Sequence, residues 1–237
     1  MVSEALEGVR RRIAEAARRV GRDPAEVRLV CVTKGVPVSH IEEALAAGVT
    51  DLGENRVQEA QEKQAALGTG YRVPGTEVRW HLIGHLQRNK AKLAAESFDV
   101  IHSVDSSELV RALVRAAALR RVVYPREVLI QVNVSGEAMK HGCRPEEAQG
   151  LAEEILRSKH LKWVGLMTMA PFSEDSEKAR PFFRQLRELR DELRHSSLAG
   201  ACAELGLSMG MSEDFETAVE EGATMVRVGT AIFGERT

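Results

Sequence analysis

Aromatic residues are scarce in this chain. Phe, Tyr and Trp make up 4% of its 237 residues, so a core of domain size must be built from aliphatic side chains. A surplus of one charge is missing too. Lys and Arg number 33 against 35 Asp and Glu, a balance that argues against a protein made mainly to bind nucleic acid or an anionic membrane. Apolar runs stay well short of the roughly 18 residues of a transmembrane helix, and the opening MVSEALEGVRRRIAEAARRVGR lacks the apolar stretch of a signal peptide. Cysteine is limited to Cys31, Cys143 and Cys202. Three scattered thiols are not a disulfide framework and suit a reducing cytosol, so a cytoplasmic location is expected. A Pro/Gly/Ser-rich linker is absent as well. The richest such stretch, GTGYRVPG (68–75), reads as a tolerant connecting loop.

What the chain does contain is alternation. Strand-like apolar runs start near 28, 50, 77, 100, 127, 162, 204 and 225, with room for a helix after each. Eight such units predict a parallel α/β fold. A (β/α)8 barrel and an open doubly wound sheet both fit, and eight units in one mid-sized domain over 1–237 favour the barrel. Leu6, Val9, Ile13, Ala17 and Val20 form the apolar stripe of an extra helix before the first strand, with Glu7/Arg11 and Glu15/Arg19 as i,i+4 pairs. Ser39 with Glu42 reads as a capping box, Gly48 as a helix-ending glycine, Ser212 as the cap of an acidic first turn, and Pro181 as a first-turn residue.

Barrel chemistry sits at the C-terminal ends of the strands. Lys34 follows the apolar run LVCVT directly, where partial desolvation frees an amine to form Schiff bases with carbonyl compounds. Gly229 lets the backbone approach a ligand, and the N–H groups after it suit a phosphate. Arg227 shares the Gly229 side of its strand, pointing a charge into the barrel mouth, where it needs an acceptor: a cofactor ring nitrogen, or a carboxylate such as Glu54. His81 and His85 have the i,i+4 spacing of helical zinc ligands. Here HLIGH crosses a strand end and a glycine, with no Glu or Cys to complete a motif, so no metal site is expected. Arg88, Lys90 and Lys92 read as a solvated basic face.

Seven segments together resemble one family: LVCVTKGVP (29–37), LGENRVQEA (52–60), WHLIGHLQRNK (80–90), IHSVDS (101–106), LIQVNVSGEAMKHG (129–142), GLMTMAP (165–171) and LSMGMSEDFETAVEEGATMVRVGTAIFGER (207–236). The chain is similar over almost its whole length to the pyridoxal phosphate homeostasis proteins. That resemblance implies a barrel of the alanine racemase N-terminal-domain type holding pyridoxal phosphate. It implies a Schiff base on Lys34, with Arg227 facing the pyridine nitrogen. It implies that Ser208, Gly229 and Thr230 hold the phosphate, with Asn55, His81 and Met211 as neighbours of the cofactor. Lys140 lies in a segment the family keeps near the site. Around Lys34 this chain has TKGVP, where many members have a serine before the lysine.

The implied role is cofactor buffering or delivery to apoenzymes, in a monomer or weak dimer, with no catalytic residue. A cation at the ring nitrogen disfavours its protonation and weakens the cofactor as an electron sink. The alternatives are an amino-acid racemase and a Schiff-base enzyme acting on a sugar phosphate. The first needs a second acid/base, and Tyr71 and Tyr124 both lie away from the C-terminal strand ends. The second commonly carries its lysine on strand six, and WVGLMTMA has none. At this length a barrel and one helix use nearly all residues, so the second domain of the racemases is not expected.

Overall fold

The structure, a computed structural model, describes residues 1–68, 78–119, 125–137, 139–196, 198, 200 and 204–235. Eight parallel strands close into a barrel in chain order: β1 (Arg28–Val32), β2 (Asp51–Glu54), β3 (Arg79–Leu82), β4 (Val100–Val104), β5 (Arg126–Gln131), β6 (Leu161–Met167), β7 (Gly206–Ser208) and β8 (Met225–Val228). Closure comes from β1 pairing β8, with Val30 opposite Arg227 and Cys31 opposite Val228. The open-sheet alternative is thereby excluded. Around the barrel run α1 (Val2–Arg19), α2 (Val38–Ala46), α3 (Val57–Leu67), α4 (Ala91–Ser97), α5 (Ser107–Leu119), α6 (Ala148–Leu156), α7 (Arg180–Arg194), α8 (Phe215–Glu220) and α9 (Thr230–Phe233). Among the described residues, no helix is long and apolar enough to cross a membrane.

Strand alternation sorts the side chains into two layers. Outward residues such as Cys31, Leu52, Leu82, Ile101, Ile130, Leu207 and Val228 join the helix faces in one large core. Inside the barrel, Val100, Leu129, Met167 and Met225 form a smaller plug. At its N-terminal end charged pairs close the floor: Arg79 with Glu127, and Arg28 with Asp51 at 3.7 Å. Burial pushes the thiols of Cys31 and Cys143 up to about 12, so both are packing residues rather than nucleophiles. Cys202, Tyr71, Tyr124 and most of the 68–75 loop lie outside the described residues.

Helix α1 buries the expected stripe of Leu6, Val9, Ile13 and Ala17 but ends before Val20, which is exposed. Its arginines act between elements. Arg10 donates to the carbonyls of Ala47 and Gly48 at the end of α2. Just beyond α1, Arg22 donates to those of Val219 and Ala223 around the end of α8. Helix ends leave carbonyls without partners, and these guanidinium groups supply them. Arg19, expected to pair with Glu15, instead reaches Glu220 at 2.7 Å. Gly48 has φ +80, as a helix-ending glycine should. The capping box at Ser39 is not formed: α2 starts at Val38 with Pro37 at the cap, so Ser39 lies within the first turn. Pro181 sits in the first turn of α7 as expected.

Candidate functional site

Lys34 leaves the C-terminal end of β1 half-buried. The residues on either side of it are pinned by one cluster. Glu54, at the end of β2, is fully buried. Its Oε1 accepts from the Thr33 hydroxyl at 2.6 Å and from Lys63 Nζ at 2.7 Å. Lys63 also donates to the Thr33 carbonyl at 2.5 Å and to Glu59 at 2.7 Å, and Glu59 accepts from the Gly35 amide at 2.6 Å. Both peptide neighbours of Lys34 are therefore tied to α3. Burial raises the Glu54 carboxyl above its ordinary range, and its bonds to Lys63 and Thr33 hold that rise in check. Glu54 is thus taken by Lys63 and is not the partner of Arg227.

Beside Lys34 opens a cavity of about 460 Å³, lined by Asn55, Arg56, Gly84, His85 and Lys90 among others. Gly84 is required there. A Cβ on it would lie 2.4 Å from the Asn55 carbonyl oxygen, so only glycine lets the β3 loop close on the Asn55 backbone.

The other candidates lie on the β7–β8 side. Because Val30 is opposite Arg227, the ends of β1 and β8 adjoin and bring Lys34 near Gly229 and Thr230. Arg227 is 3% exposed. Its guanidinium donates to Ser208 Oγ at 2.6 Å and to the Thr168 carbonyl at 2.9 Å. No carboxylate pairs with it among the described residues. Burial lowers its pKa to about 10, with Asp214 acting in the opposite direction, so it stays charged at neutral pH. Ser212 does not cap α8, which begins after Asp214. Its Oγ instead accepts from the amides of Gly229 and Ala231, both at 3.3 Å. Met211 and Thr230 are exposed at this rim.

Ser208 and His81 have a different setting from the rim expected for them. Both are fully buried inside the barrel, in a chain that crosses it. Ser208 Oγ is 2.9 Å from His102 Nδ1, His102 Nε2 is 2.9 Å from His81 Nδ1, and His81 Nε2 is 2.8 Å from Asp51 Oδ1. The protons can be assigned from either end. Burial would raise the Asp51 carboxyl, but His81, Thr50 and Arg28 hold it below its ordinary range, so it is an anion. His81 Nε2–H must then donate to it, which leaves His81 Nδ1 to accept from His102 Nε2–H. His102 Nδ1 in turn accepts the Ser208 hydroxyl proton. From the far end, a guanidinium can only donate, so Ser208 Oγ accepts from Arg227. The two assignments agree. The Ser208 hydroxyl is engaged on both sides and holds Arg227 in place.

Both imidazoles are neutral in this arrangement, and burial pulls each below its ordinary pKa, His102 strongly. The unfolded chain takes up these protons below about pH 6.5 and the folded one does not, so stability is full above that pH and falls below it. A histidine kept neutral contributes about 1.4 kcal/mol per pH unit. Urea unfolding between about pH 6.5 and pH 5 should thus show a loss of about 1–3 kcal/mol per unit from the pair. The slope should be clearly shallower in His102→Gln. Equal slopes in the two proteins would contradict neutral burial of His102.

With this geometry in place, the chain can be set beside known proteins. A family model described as alanine racemase, N-terminal domain, matches residues 5–237. A pyridoxal phosphate homeostasis protein of Aquifex aeolicus is 43% identical over 233 residues, covering 98% of this chain and 97% of the relative. This chain belongs to the pyridoxal phosphate homeostasis protein family. A second member, from Pseudomonas aeruginosa, is 43% identical over 240 residues, covering 99% of this chain and 96% of the relative. Among solved structures, PipY of Synechococcus elongatus, with PLP bound, superposes with a TM-score of 0.80 at 36% identity, covering 99% of this chain and all of that one. The family placement agrees with the closed barrel and with the resemblance carried by the seven segments.

Proposed function

We propose that this chain binds pyridoxal 5′-phosphate through Lys34 and serves to buffer or deliver the cofactor, with little or no turnover. The observation that carries this reading is Arg227. A buried guanidinium uses two of its five N–H donors on neighbours and has no carboxylate among the described residues. A buried charge needs partners, and the adjoining strand end carries a half-buried lysine. An amine, a cation without a carboxylate partner and a rim hydroxyl seated on two backbone N–H groups together form a set suited to an aldehyde, a pyridine nitrogen and a phosphate. When bound, pyridoxal phosphate supplies an aldehyde that condenses with a lysine amine and a ring that withdraws electrons.

Arg227, oriented by Ser208, would present its remaining N–H groups to the ring nitrogen and, as a cation, disfavour its protonation. Asn55, beyond β2 on the other side of Lys34 from β8, lines the cavity beside Lys34. Thr230 and the Ser212 hydroxyl, which the Gly229 and Ala231 amides hold in place, would meet the phosphate, and Met211 borders the rim. The serine expected at the phosphate was Ser208. Its burial and its two bonded neighbours favour Ser212 instead, which already sits on the Gly229 and Ala231 amides.

Loss of one hydrogen bond to a charged group is worth about 1.5–3 kcal/mol. Ser212→Ala should therefore bind pyridoxal phosphate about 10-fold or more weakly and bind pyridoxal, which lacks the phosphate, as the parent does. Equal losses for the two ligands would remove Ser212 from the phosphate site. The homeostasis reading itself is tested by exchange of amino-acid α-protons with deuterium oxide. No exchange above that of free pyridoxal phosphate is expected across a panel of amino acids, whereas sustained exchange would favour a racemase-like enzyme.

A further inference from the structure

The geometry points to a divalent metal site at the barrel mouth, made by His85, Asp105 and His141. The three residues come from the ends of three consecutive strands. His85 lies beyond β3, Asp105 beyond β4 and His141 in the segment after β5. One ligand-capable atom from each lies within 4.8 Å of the other two. His85 Nδ1 is 3.6 Å from Asp105 Oδ2, and the rings of His85 and His141 stack with centroids 3.8 Å apart and planes 9° from parallel. None of the three side chains makes a hydrogen bond among the described residues, and Asp105 has no lysine or arginine partner there. Two imidazoles and a carboxylate thus converge with their donor atoms uncommitted. The neighbouring Lys140 is engaged separately, with Glu137 at 2.9 Å.

Two histidines and one carboxylate are a ligand set for a borderline ion of the zinc class. Tetrahedral ligands about 2.1 Å from a metal stand roughly 3.4 Å apart, so the cluster must tighten by an ångström or so and the rings must tilt out of their stack. Both histidines are exposed and free to do so. Three protein ligands leave at least one position open. Because His85 also lines the cavity beside Lys34, the open position is next to the proposed cofactor pocket. The sequence expectation of no metal site rested on the pairing of His81 with His85. The structure separates those two, burying His81 in the barrel and setting His85 against His141.

The test uses the full chain, dialysed against a chelator and free of pyridoxal phosphate. Titration with Co2+ should develop the visible bands of a tetrahedral or five-coordinate ion, and calorimetry with Zn2+ should give one equivalent per chain. His85→Ala, Asp105→Asn and His141→Ala should each weaken binding at least about 10-fold, with the Tm in chelator unchanged for the two exposed histidines. His40→Ala and His195→Ala, exposed histidines elsewhere, should bind as the parent does. No binding in the parent would overturn the site. So would binding that survives the three cluster substitutions, or that is lost with His40 or His195.

Discussion

A Lys34→Ala chain is expected to lose its absorption band near about 420 nm entirely when mixed with pyridoxal phosphate, while Lys90→Ala keeps it. Lys90 is the sharper control because it lines the same cavity. The other lysines near the mouth are already committed: Lys63 to Glu54, Glu59 and the Thr33 carbonyl, and Lys140 to Glu137. Lys34 stands at the end of β1 with the backbone on both sides of it tied to α3. Lys90 ends a single 3-10 turn before α4. A band that persists in Lys34→Ala and vanishes in Lys90→Ala would reverse the assignment.

The second large effect is one of stability. Lys63→Met should cost about 3–5 kcal/mol, because it strips the cation from a fully buried carboxylate. Glu54 is completely buried and the Lys63 side chain only 9% exposed. The second carboxylate oxygen of Glu54 has no hydrogen-bond partner among the described residues, so no alternative donor waits nearby. The double variant Lys63→Met/Glu54→Leu should recover much of the loss, since replacing both charges removes the unpaired group. Because Lys63 also holds the Thr33 carbonyl, the single variant should weaken cofactor binding at Lys34 as well. Urea unfolding reads the first effect and titration at the absorption band the second. A loss below about 1 kcal/mol would mean that the pair behaves as a solvated surface bridge.

The fold was legible because its signals are local. Most strands lie in short apolar runs, α1 carries a clear apolar stripe, and eight alternating units favour a closed sheet. Lys34 and Arg227 were legible for a related reason: both lie on or beside recognisable strand ends, where a charged residue is conspicuous. The interior chain was not. Asp51, His81, His102, Ser208 and Arg227 come from five strands, and nothing in any one segment announces the partner in another. Ser208 and Ser212 illustrate the limit. Both belong to LSMGMS, and strand alternation plus the start of α8 decide which points inward and which reaches the Gly229 amide. Lys63 carries no signal in its own segment, and only the structure shows that it pairs with the buried Glu54. The Ser39 capping box failed because Pro37 takes the cap position, which moves the helix start by two residues. The pattern in each case is the same: period and punctuation reveal elements, while polar pairings across the barrel need the register.

One lysine, Lys34, is expected to carry the cofactor. The most direct test is borohydride reduction of the chain loaded with pyridoxal phosphate, followed by peptide mass mapping. A phosphopyridoxyl group is expected on Lys34 at close to one per chain and on no other lysine. A label on Lys90, Lys140 or Lys63, spread over several lysines, or missing altogether would contradict it.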